Sequence, residues 1–107
     1  MKEKEQKILT LLQFARKAGM VVHGSDACIR SINHGKLHLI VLAADLSQNS
    51  TNKLLRIKEE TQSNVRIISI LTQNEISSAL GLPITGIIGL TDKRFAVKIL
   101  EYWTADN

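Results

Sequence analysis

Cysteine and proline each occur once in this 107-residue chain, as Cys28 and Pro83, and only four side chains are aromatic: Phe14, Phe95, Tyr102 and Trp103. A single cysteine excludes a disulfide framework and points to a reducing, cytoplasmic setting. The aromatics fall on helical segments, which argues against a base-stacking platform of the kind that reads single-stranded RNA. No apolar run approaches the length of a membrane span, and the opening MKEKEQK is not a signal peptide, so no membrane partner is expected. Catalytic signatures are missing too. There is no serine in a nucleophile elbow, no cysteine beside an evident base and no pair of carboxylates at a strand end, so the chain reads as a non-enzyme without a cofactor. His23, His34, His38 and Cys28 lack the spacing of a metal-ligand set and fall on different elements, which leaves no metal site.

What is present is an ordinary globular composition, long enough for one domain with a real core, taken as residues 1–107. The net charge of +4 is modest, but its placement is uneven. Lys2, Lys4, Lys7, Arg16, Lys17, Arg30 and Lys36 face only Glu3, Glu5 and Asp26 in the first third, while the remainder sums to zero. An anionic partner, most often nucleic acid, follows from that excess. Lys2, Lys4 and Lys7 are better read as a solvated face of the first helix.

Helical and extended periods alternate along the chain. Ile8, Leu11, Leu12 and Ala15 recur at helical spacing over residues 4–18, and Gly19 ends that helix. Val21-Val22 is a short extended step. A helix over 25–33 buries Cys28, Ile29 and Ile32, and Gly35 stops it. Leu37 to Ala43 is apolar on both faces, as in a strand covered from two sides. A helix over 50–62 with Leu54 and Leu55 inside leads to a strand over 65–71. Thr72 and Glu75 form a capping box for a short helix ending at Gly81. The strand GIIGL follows, and Asp92 then caps a last helix whose inner face holds Phe95, Ala96, Ile99 and Trp103. The expected fold is α/β: a three-layer α/β/α sandwich around a small, mixed four-stranded sheet. Gly86 and Gly89 read as relief for close packing, since no Rossmann fingerprint is present.

The junction at Gly24 is the expected ligand site. A helix N-terminus offers unpaired N–H groups and a positive dipole, and glycine lets another backbone approach. With Lys17, Arg30 and Lys36 nearby in sequence, a phosphate backbone is the natural guest. Asp45 follows a strand end on the usual ligand side of an α/β sheet, although capping of the adjoining loop explains it equally well. Leu82-Pro83-Ile84 is an apolar loop that either packs on the core or forms a contact surface.

FARKAGMVVHG, NHGKLHLIVLAAD, the short helix ending in LG, and TDKRFA, in that order, resemble the kink-turn RNA-binding ribosomal-protein superfamily, and most closely its bacterial YlxQ-type members. The resemblance implies the same sandwich and non-catalytic binding of structured RNA, with ribosomal RNA or another kink-turn-like RNA as partner, the ribosome as one setting for it, and no DNA. In that family a Gly-x-Asn-Glu-x-x-Lys segment at the second helix contacts the kink, and an apolar loop before the last strand covers a displaced nucleotide. Gly24 then matches the glycine, Asp26 falls at the asparagine, Arg30 at the lysine, and Leu82, Pro83, Ile84 and Thr85 at the apolar loop. Asp45 falls at the aspartate after the central strand. Ala27 stands where kink-turn binders carry glutamate, and Gln73 where several members place lysine. The expected RNA-binding set is thus Lys17, Gly24, Ser25, Asp26, Arg30, Lys36, Asp45 and residues 82–85. A kink-turn and another structured motif both remain open as its target, and the rival reading is a protein–protein module on the same fold.

Overall fold

The computed structural model describes residues 2–105. Five helices and four strands alternate strictly among them: α1 (Glu3–Lys17), β1 (Val21–His23), α2 (Ser25–Asn33), β2 (Leu39–Leu42), α3 (Gln48–Glu60), β3 (Arg66–Ser69), α4 (Gln73–Leu80), β4 (Ile87–Leu90) and α5 (Lys93–Thr104). The sheet order is β1-β4-β2-β3, with β4 antiparallel to both neighbours and β2 parallel to β3. The sheet is mixed and four-stranded, as expected. The last strand in the chain, β4, sits inside the sheet, where Ile87–Leu90 is fully buried.

Two apolar layers flank it. Ile8, Leu12 and Ala15 of α1, Ile76 and Leu80 of α4 and Ile99 of α5 close over Leu39, Val41, Ile88 and Leu90. On the other face Cys28 and Ile32 of α2 and Leu54 of α3 cover Ile40, Leu42 and Ile87. Each fully enclosed Leu or Ile contributes about 1.5–3 kcal/mol through surface removed from water. Gly89 is required by this packing. A Cβ there would lie 2.8 Å from Leu37 Cδ2, 3.0 Å from Val22 Cγ2 and 3.1 Å from Cys28 Sγ.

Two expectations are corrected. Leu55 is exposed rather than buried, because α3 offers the sheet a stripe one residue wide in which Leu54 is enclosed and Ile57 half-buried. The strand over 65–71 is shorter and lies at the sheet edge, so Arg66 and Ser69 face solvent. At the N-terminus, Lys4 lies 5.4 Å from the Trp103 ring centroid and Lys7 5.3 Å from that of Tyr102. Those two cations therefore belong to the α1–α5 seam as well as to solvent. Asp92 caps α5 through the N–H groups of Arg94 and Phe95, at 2.8 and 3.2 Å. A side-chain hydrogen bond from Arg94 and the bond from the Phe95 N–H hold its carboxyl below the usual carboxylate range.

Candidate nucleic-acid interface

Strand direction builds the site. β1 and β2 both run antiparallel to β4, and β3 runs with β2. The segments that leave β1, β2 and β3 and the loop that enters β4 therefore meet at one end of the sheet. Gly24, Asp45, the Thr72–Gln73 turn and residues 82–86 share this edge. A direct bond records the convergence: the Gly24 N–H donates to Ile87 O at 2.9 Å.

Gly24 is the N-cap of α2 at φ 87, ψ 161, a conformation reserved in practice for glycine. With no side chain it cannot cap, and the helical ladder begins only with the Cys28 N–H on Gly24 O, at 3.2 Å. The contrast within the molecule is informative. Ser47, Thr72 and Asp92 cap α3, α4 and α5 with side-chain oxygens. The first turn of α2 is left with its N–H groups facing outward, a ready anion receptor. At that turn Ser25 Oγ is enclosed and has no hydrogen-bond partner among the described residues. Asp26 and Arg30 lie one turn apart on the same exposed face, and Arg30 forms no ion pair among the described residues.

The apolar loop is held from below. Ser77 is 3 % exposed, and its hydroxyl accepts from the Thr85 N–H at 2.9 Å and donates to Thr85 O at 3.1 Å. Leu82 packs on the core, whereas Ile84 is 64 % exposed and is the apolar tip of the edge. Asp45 has a structural task that sequence alone left open: Oδ1 accepts the Gln73 N–H at 2.9 Å, and its carbonyl accepts Gln73 Nε2–H at 3.3 Å. It anchors the start of α4 to the end of β2. Leu71, buried, takes a left-handed φ of 65 just before the Thr72 cap. For a leucine this costs roughly 1–2 kcal/mol and is the one strained non-glycine turn on the edge.

Lys17 and Lys36 do not join this edge. Lys36 precedes β2, where His38 N–H bonds Leu90 O, and Lys17 precedes the turn whose Met20 O accepts from the Thr91 N–H; both mark the opposite end of the sheet. Sequence proximity to Gly24 placed them near it, but α2 and β1 carry the chain away. His23 adjoins Gly24, whereas His34 and His38 lie at the far end and Cys28 is inside. Burial pushes the Cys28 thiol up to about 12, so it stays protonated and inert. Neither Ser77 nor Leu71 is marked by the sequence as part of the site. A serine on the inner face of α4, one turn before Leu80, is the only trace Ser77 leaves, and Leu71 leaves none.

The model for the ribosomal protein L7Ae/L30e/S12e/Gadd45 family matches residues 6–100. A protein described as RNA-binding protein YlxQ, from Enterococcus faecium, is 28% identical over 97 residues, covering 90% of each chain. Among solved structures, a protein of unknown function from Bacillus halodurans superposes with a TM-score of 0.82 at 23% identity, covering 90% of this chain and 95% of that one. The Giardia lamblia 15.5kD RNA binding protein superposes with a TM-score of 0.77 at 18% identity, covering 94% and 88%. At such identities the two structures speak for the fold. The chain is an α/β/α sandwich of the ribosomal-protein type. It belongs to the L7Ae/L30e/S12e/Gadd45 family.

Proposed function

We propose that this protein binds structured RNA, without catalysis, at the edge formed by the first turn of α2 and the loop 82–85. The uncapped N-terminus of α2 beside the exposed Ile84 carries the reading: one supplies N–H donors for phosphates, the other an apolar surface for a displaced base. Family membership and the name of the Enterococcus relative support RNA as the partner. Ribosomal RNA, met on the ribosome in the cytoplasm, is the target this reading favours.

Arg30→Ala is the direct test. The side chain is exposed, so folding is expected to stay intact while RNA affinity falls by about 1–3 kcal/mol if the guanidinium reads a base edge. If it meets only phosphate, the slope of log affinity against log salt falls by about one instead. Binding to fragments of ribosomal RNA, measured across a salt series, separates these results. Unchanged affinity and an unchanged slope in the folded variant would remove Arg30 from the site, and salt-independent binding by the parent chain would favour the protein–protein module.

Kink-turn recognition is tested by restoring what the chain lacks. Asp26→Asn with Ala27→Glu supplies an amide donor and a carboxylate acceptor on the first turn of α2, suited to guanine edges. A standard kink-turn RNA is expected to bind the double variant on the order of tenfold more tightly than the parent. No gain would point to a different RNA motif.

A further inference from the structure

The ring of Phe14 is 57 % exposed on α1, an unusual position for one of only two phenylalanines. A lone exposed apolar side chain needs no explanation, but this one stands in a shaped and charged place. It lines a groove of about 360 Å³ between the C-terminal half of α1 and the end of α4, within the range of small-ligand clefts. Ala79 and Leu80 form the α4 side. Gln13 ties the two helices together by donating from Nε2 to Ala79 O at 3.1 Å, which fixes the groove without a ligand. Arg16 and Lys17 line it, neither forms an ion pair among the described residues, and no acidic side chain contributes to its walls.

We propose that this groove holds one unstacked nucleotide of the bound RNA, its base on the Phe14 ring and its flanking phosphates on Arg16 and Lys17, a single stack rather than the multi-aromatic platform that the scarce helical aromatics argue against. The inference rests on the RNA-binding reading above and extends its footprint to a second face. Two features select a nucleotide over an apolar peptide. An aromatic face beside two free cations matches the pairing of base and phosphate, and the groove has no acid to receive a basic partner. Chain adjacency suggests the route. Leu80, in the groove wall, is two residues from Leu82, where the apolar loop of the anion edge begins. On this proposal the RNA path runs from Ile84 past Leu82 to Phe14, and Lys17, excluded from the Gly24 edge by strand direction, recovers a phosphate partner here.

Hexa-adenylate titrated into the isotope-labelled full chain, followed by NMR, tests the proposal. The Phe14 ring and the Ala79 and Leu80 methyl signals are expected to shift in step. Phe14→Ala weakens binding at these signals roughly tenfold, about the worth of one base stack, and Phe14→Tyr retains it. Arg16→Gln with Lys17→Gln lowers the salt dependence of the same shifts. The amides of Gly24 and Ser25 report on the other edge in the same samples. Shifts there with a silent groove overturn this inference alone and leave the groove to a protein contact. Shifts at the groove with a silent Gly24 uphold the nucleotide site and leave the α2 edge to the structured-RNA titrations, whereas a groove silent in every sample overturns this inference.

Discussion

Gly24→Val is expected to weaken RNA binding at least tenfold and to lower the melting temperature together. The two losses have separate causes. At φ 87 and ψ 161 any side chain strains the backbone, by about 1–3 kcal/mol, and a β-branched one sits at the upper end. For a chain near this length each kcal/mol lowers the melting temperature by roughly 4–8 °C. Binding falls for another reason. A Cβ at Gly24 would meet no protein atom within 4 Å, so the added volume projects into open space before the first turn of α2. In the proposed binding mode RNA enters that space to reach the N–H groups. Gly24→Ala shares the backbone strain but adds less bulk, so it should lose nearly as much stability and less affinity. Thermal denaturation alongside binding to one RNA, well below both melting temperatures, resolves the two effects. Equal affinity for parent and both variants would make Gly24 a structural glycine only.

The second large effect lies inside the sheet. Strand propensity alone predicts that Gly89→Val stabilises a strand. Packing predicts the reverse. Leu37, Val22 and Cys28 already crowd the position of a Cβ, at 2.8–3.1 Å, and they come from the segment before β2, from β1 and from α2. Overpacking of this kind costs about 1–3 kcal/mol for small additions, and two further methyl groups should carry it to about 3 kcal/mol or more. Because Cys28 belongs to α2, relief comes most readily by moving that helix off the sheet, which would also displace Gly24. Urea unfolding gives the sign directly. A rise in stability would show that propensity outweighs packing at this strand.

Local chemistry makes several elements legible in the amino-acid order itself. The Thr72–Glu75 box, the left-handed Gly81, the Asp92 cap and the bounds of α2 each depend on residues within one helical turn. What could not be read is set by distant partners. Leu54 and Leu55 are equally apolar, and only the placement of α3 against Ile40 and Leu42 decides which one is buried. Lys17 and Lys36 lie near Gly24 in sequence, but one helix and one strand of intervening chain carry them to the other end. The edge role of β3 follows from strand order, which no stretch of its own residues encodes. For the candidate site, the glycine, Arg30 and the apolar loop are visible as motifs, but which end of that loop is exposed is set by packing, with Leu82 on the core just after the Gly81 cap and Ile84 outward. Ser77 is hidden because a buried serine and a surface serine look alike until Thr85 is placed beside it.

The position of β4 has a consequence for how the protein comes into being on the ribosome. β1 is released early, yet among the described residues its only partner in the sheet is β4, in the register Val22 to Gly89. The Gly24 N–H likewise waits for Ile87. β2 and β3 can pair beforehand, since their partners lie closer along the chain. Pairings between remote segments form late, because loop closure must precede the contacts that reward it. During synthesis, a nascent chain that ends between residues 86 and 90 therefore holds both Gly24 and the loop 82–85 but lacks the complete strand that joins them. On the proposed reading of the edge, competence for RNA arises only when nearly all of the chain has emerged.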